Sequence, residues 1–129
     1  MLARGLDHPW RLTRDGKIGV VSDYTPSEVA ALLEQDGVQL IDVRTAAEHE
    51  AGHIAGDRWI ELNDLPAQAE TIDQDQPVIF YCRSGARSGM ATEALQRAGY
   101  DVHNMAGGLL EWYASELPLK PADGHVAEH

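Results

Sequence analysis

The stretch from Val78 to Ser88, Val-Ile-Phe-Tyr-Cys-Arg-Ser-Gly-Ala-Arg-Ser, constrains this chain more than any other. Val78 to Tyr81 are four apolar or aromatic residues in a row, which suits a strand buried on both faces. The run ends in Cys82, the single cysteine of the chain. Beyond it, Ser88 to Ala98 places Met90, Ala91, Ala94, Leu95 and Ala98 at helical spacing, with Glu93, Gln96 and Arg97 opposite. The thiol therefore falls at a strand-to-helix turn. Such a turn aims backbone N–H groups and the positive end of a helix at one spot and so favours an anion.

The rest of the chain reads as scaffold for that turn. Residues 1–16 mix Gly5, Pro9, Trp10 and Gly16 with charges and are expected to form an irregular arm, with Trp10 as the residue able to tack it down. Lys17 to Val21 is a short strand candidate. Thr25-Pro26-Ser27-Glu28 has the form of a helix start, with an N-cap, a proline at the first helical position and a glutamate closing a capping box. Asp36-Gly37 ends that helix. Val38 to Val43 predicts a central strand, Ala46 to Ala51 a short helix closed by Gly52, and Trp59-Ile60 a very short strand. Leu62 to Glu70 predicts another short helix with Asn63 as a cap. Val102 to Met105 is the last strand, and Gly107-Gly108 opens a final helix through Trp112 and Tyr113. Strands alternating with helices over 17–119 predict an α/β fold with a central, mostly parallel, five-stranded sheet and helices on both faces. Residues 120–129 are expected to fray as a flexible tail.

Composition narrows the partners. The 129 residues suffice for one domain. With 10 Lys+Arg against 21 Asp+Glu, a formal charge of −11 makes nucleic acid and anionic membranes poor partners. It also repels small anions at long range, so an anion site needs a local cluster of positive groups. One cysteine excludes an intrachain disulfide and a multi-thiolate metal site within the chain. No stretch is long and apolar enough for a bilayer span, and the expected location is cytoplasmic, with a reduced thiol.

A nucleophilic cysteine needs a lowered pKa, access and donors for the charge of its substrate. Gly85 lets the loop fold back so that amides from Arg83 onward converge on the sulfur, and Arg87 can present its fork to an oxyanion. Cys82-Arg83-Ser84-Gly85-Ala86-Arg87-Ser88 resembles the active-site loop of the rhodanese sulfurtransferases. Leu40-Ile41-Asp42-Val43-Arg44, Glu48-His49 and Gly52-His53-Ile54-Ala55-Gly56 resemble the family's upstream signature, and Gly107-Gly108-Leu109-Leu110-Glu111-Trp112 its C-terminal one. Ala55 stands where proline is common, and Asp57-Arg58-Trp59-Ile60 is bulkier than the usual run.

The resemblance implies that Cys82 takes a sulfane sulfur from an anionic donor such as thiosulfate and passes it to cyanide or a thiol. It implies further that the amides of Arg83, Ser84, Gly85, Ala86, Arg87 and Ser88 cradle the persulfide, with Arg83 and Arg87 meeting the donor's sulfonate. No cofactor or metal is implied. An alternative is a persulfide carrier or recognition module serving one protein partner. Phosphatase or arsenate chemistry is disfavoured because related loops for tetrahedral oxyanions are one residue longer. Asp42 and Arg44 are expected to be structural, with Arg44 paired to Glu48. His49 and His53 sit at i, i+4 spacing, but Gly52 lies between them and no third metal ligand is near in the sequence, so turn bonding is expected of both.

Overall fold

The computed structural model describes residues 23–128. The expected arm at 1–16, Trp10 and the strand at 17–21 lie outside the described residues. The elements run β1 (Asp23–Tyr24), α1 (Pro26–Leu33), β2 (Gln39–Asp42), α2 (Ala46–Ala51), β3 (Arg58–Trp59), α3 (Leu65–Gln68), β4 (Val78–Tyr81), α4 (Ala86–Arg97), β5 (Val102–Met105) and α5 (Gly108–Ala114). Short 3-10 turns at Leu62–Asp64 and Ala69–Thr71 flank α3, so the single helix expected over 62–70 is three short pieces. None of them has a side-chain cap, and Asn63 does not serve as one.

The five strands pair in the order β1-β5-β4-β2-β3, and every pairing is parallel. β4 lies at the centre, between β2 and β5. Its four residues are all buried, as a strand covered on both faces requires. The period of two sorts the core into halves. Val78, Phe80 and Cys82 face one cluster with Ile41, Val43, Ala91 and Leu95. Ile79 and Tyr81 face the other with Val29, Leu40, Leu109 and Trp112. α4 thus covers one face of the sheet, and α1 and α5 cover the other.

The capping box expected at α1 is formed, and a second one closes the start of α2. Thr25 accepts from the Glu28 amide while the Glu28 carboxylate accepts from the Thr25 amide. Thr45 and Glu48 make the same exchange at α2. Each fixes one helix start by satisfying amides that the helix itself leaves open.

The C-terminal segment departs from the expected frayed tail. Lys120 forms an antiparallel bridge with His53, the His125 amide donates to the Ala51 carbonyl at 2.9 Å, and Val126 packs against the second core cluster. The tail crosses so near Gly52 that a Cβ there would lie 2.4 Å from the His125 carbonyl oxygen. Gly52 is therefore a point of close approach, and the tail is held by backbone bonds that its composition does not announce.

Candidate active site

Parallel strands deliver their carboxyl ends to one edge of the sheet, and at that edge Cys82 leaves β4 beside Asp42 at the end of β2. The following loop turns back at Gly85, whose φ of 105° lies in the left-handed region open to glycine. This turn brings the Gly85 amide to 3.1 Å from Cys82 Sγ, the Ser88 amide to 3.4 Å and Ser88 Oγ to 3.4 Å. Burial pushes the Cys82 thiol up. Hydrogen bonds from Ser88, Gly85 and Ser84 more than offset that, so the thiol lies below its ordinary value. Cys82 itself is fully buried, at the floor of the loop.

The outer side of the loop is sealed by α5. The Leu109 amide donates to the Cys82 carbonyl at 2.8 Å and the Leu110 amide to the Arg83 carbonyl at 3.0 Å. This contact explains the paired glycines. Gly107 and Gly108 have φ of 78° and 63°, and a Cβ on Gly108 would stand 2.4 Å from the Arg83 oxygen. Only glycine allows the two backbones to approach so closely.

Arg87 is engaged by Glu48. Its Nη1 and Nη2 donate to the two carboxylate oxygens, both at 2.9 Å. Burial raises the Glu48 pKa, but the Arg87 fork, the Thr45 amide and the Thr45 hydroxyl bring it down to about 2. Because this folded value lies below the ordinary 4.5, the pair stabilises the fold at pH above the ordinary value and loses that contribution as pH falls from about 4.5 towards 2. The contribution is at most about 3 kcal/mol, less what solvent screening removes at the partly exposed Arg87. Urea unfolding of the native chain and Glu48→Gln across this window checks it: the difference in stability between the two is expected to shrink as the pH drops. Arg83 is held elsewhere, its Nε donating to the Ala127 carbonyl of the tail at 3.1 Å.

Arg44 corrects an expected pairing. It bonds Asp42 rather than Glu48: Nε donates to Oδ1 at 2.9 Å and Nη2 to Oδ2 at 2.8 Å, while Nη2 also donates to the Gly52 carbonyl at 2.7 Å. Both side chains have no exposed surface. The guanidinium lies 5.5 Å from the Tyr81 ring centroid. Asp42 Oδ2 also meets His49 Nδ1 at 2.8 Å. The Tyr81 hydroxyl donates to Asp57 at 2.7 Å and accepts from the Ile54 amide at 3.0 Å. Burial raises the Asp57 carboxyl above its ordinary value, against the opposing pull of Tyr81 and His49. The bulky run at 57–60 is therefore part of this network, since the Trp59 indole donates to the Arg44 carbonyl at 2.7 Å.

A third oxygen or nitrogen ligand does come near the two histidines, contrary to the sequence expectation. His49, His53 and Asp57 each offer an atom within 4.8 Å of the others. However, the two imidazoles stack at 4.0 Å with 14° between their planes, and parallel rings direct their lone pairs side by side. His53 Nδ1 is occupied by the His49 carbonyl at 2.9 Å. The cluster is tied by hydrogen bonds to Asp42 and, through Asp57, to Tyr81.

Residues 25–115 match the model of the rhodanese-like domain. The chain belongs to the rhodanese-like domain family. Among its relatives, a sulfurtransferase of Allochromatium vinosum is 36% identical over 94 residues, covering 72% of this chain and 88% of the relative. The thiosulfate sulfurtransferase GlpE of Pseudomonas fluorescens is 33% identical over 100 residues, covering 77% of this chain and 91% of the relative. Of solved structures, a rhodanese-like domain protein from Staphylococcus aureus superposes with a TM-score of 0.68 at 29% identity, over 71% of this chain and 91% of that one. A rhodanese-related protein from Thermoplasma volcanium shares the fold with a TM-score of 0.72 at 22% identity, over 76% and 96%.

Within this rhodanese-like domain, two contacts were not read from the sequence. The Glu48–Arg87 pair was hidden because Arg44, four residues before Glu48, was the nearer cation along the chain. Asn104 was missed altogether. Its one signal is a polar side chain in a four-residue strand, Val-His-Asn-Met, whose other members are buried. Among the described residues no helix is long and apolar enough to cross a membrane.

Proposed function

We propose that this protein transfers sulfane sulfur through a persulfide on Cys82. The observation that carries this reading is the convergence of the Gly85 and Ser88 amides on one sulfur, at 3.1 and 3.4 Å. The Cys82 thiolate attacks the outer sulfur of a donor such as thiosulfate. The donor's S–S bond breaks, its electron pair leaves with sulfite, and a new S–S bond of about 2.05 Å extends from Cys82. That length matters, because Sγ is buried and the added atom stands farther into the loop. An acceptor such as cyanide or a thiolate then attacks the outer sulfur, and the electron pair returns to Cys82. The amides of Arg83 to Ser88 hold negative charge at each stage without reorganising. A lone reduced thiol fits a reducing, cytoplasmic setting.

A second reading is a persulfide carrier for a protein partner. It is favoured by the two arginines: Arg87 has its fork filled by Glu48 and Arg83 its Nε by the tail, so a free sulfonate meets engaged cations. Intact mass after incubation with thiosulfate, then with an alkyl persulfide, separates the readings. A gain of one sulfur atom from thiosulfate supports the first, and a gain from the persulfide alone supports the carrier. No gain from either overturns both.

A further inference from the structure

The Ser88 hydroxyl stands between two acceptors and has one proton to give. Cys82 Sγ lies 3.4 Å from Ser88 Oγ, and Asn104 Oδ1 lies 2.6 Å from it. Which way the proton points depends on how the Asn104 amide is oriented, and a third contact decides that. Asn104 Nδ2 lies 3.2 Å from the Gly85 carbonyl. A carbonyl oxygen only accepts, so the amide nitrogen must face Gly85 and the amide oxygen must face Ser88. Oδ1 is also only an acceptor. The Ser88 hydroxyl therefore donates to Asn104, and it turns a lone pair, not a proton, towards the sulfur.

We propose that Asn104 is a positioning residue of the Cys82 site: it takes the Ser88 hydroxyl proton and withholds it from the sulfur, while pinning Gly85 and Ser88 in one loop geometry. In the thiol state the S–H can donate to Ser88 Oγ, and the chain continues through the hydroxyl to Asn104. When the thiol proton leaves to solvent, the hydroxyl remains on the shorter bond to Asn104, and the thiolate rests on the backbone amides of Gly85 and Ser88. β5 supplies this control from the strand beside β4, where Asn104 pairs with Phe80. The inference rests on reading Cys82 as the working thiolate, but its test measures acidity and needs no sulfur transfer.

The test is a double-mutant cycle on the Cys82 titration, followed by thiolate ultraviolet absorbance and by the pH dependence of iodoacetamide alkylation. Ser88→Ala in the native background is expected to move the midpoint by less than about 0.3 units, because the hydroxyl donates little to the sulfur. With Asn104→Ala the freed hydroxyl turns to the thiolate, so adding Ser88→Ala there raises the midpoint by about one unit. Asn104→Asp keeps the acceptor and should restore a small Ser88→Ala effect. Asn104→Leu serves in place of the alanine variant if that one does not fold, since it removes the acceptor at similar volume. An upward shift of about one unit from Ser88→Ala in the native chain overturns the proposal without any Asn104 variant. Equal Ser88→Ala shifts in all backgrounds overturn it as well.

Discussion

Cys82→Ser is expected to leave a folded protein that transfers no sulfur. The substitution is nearly isosteric, and a hydroxyl oxygen at this position can accept from the Gly85 and Ser88 amides that now meet Sγ at 3.1 and 3.4 Å. The loop, whose carbonyls at 82 and 83 are held by α5, has no reason to rearrange. The chemistry, however, depends on a nucleophile that is soft and, in this loop, more acidic than an ordinary thiol. Serine is neither, and no other cysteine is present to replace it. Removing the nucleophile from a constellation that acts as a unit costs roughly four orders of magnitude or more in turnover. Steady-state transfer from thiosulfate to cyanide, together with circular dichroism of the variant, checks both halves of the expectation. Native rates in the serine variant would falsify the persulfide mechanism.

Arg44→Met is expected to be the most damaging change among the groups that touch no substrate. Asp42 is fully buried, and Arg44 meets it with two charge-assisted bonds of 2.8 and 2.9 Å. Without the guanidinium, Asp42 retains the Arg44 amide at 3.0 Å and His49, and the Gly52 carbonyl loses its donor. Breaking a buried pair by removing one partner costs about 3–5 kcal/mol, because the surviving charge has been taken from water without compensation. Native domains have only about 5–15 kcal/mol in total. Thermal unfolding should therefore fall by on the order of 10–20 °C. The double variant Asp42→Asn/Arg44→Met should recover part of that loss, since it removes the stranded charge. A double variant less stable than Arg44→Met would refute the account.

The fold was legible because its central strands are strong local signals. Val78–Tyr81 is an apolar run with the length of a buried strand, Leu40-Ile41 and Val43 mark β2, and the capping box at Thr25 marks the start of α1 from sequence alone. The shape of the Cys82–Ser88 loop was legible for the same reason, since the segment is contiguous and its turn is made by its own Gly85. What was not legible depends on contacts between segments far apart in the chain. Arg87 meets Glu48 and Arg83 meets Ala127, and no local pattern at either arginine names its partner. Arg44 could have paired with either nearby carboxylate; Asp42 wins because its side chain lies on the same buried strand end and can take the fork from both oxygens. The tail is the clearest case. Lys120 to Glu128 has the polar, proline-bearing composition of a frayed end, yet backbone bonds to His53 and Ala51 hold it, and composition carries no information about backbone bonds.

Glu48 has a consequence beyond acid stability. The same carboxylate closes the first turn of α2 and holds the fork of Arg87, a residue in the first turn of α4. Unwinding the start of α2 therefore releases the loop's arginine, and drawing that arginine away uncaps α2. The starts of α2 and α4 are thus expected to open and close as one cooperative unit, with shared hydrogen-exchange protection although the chain between them is long.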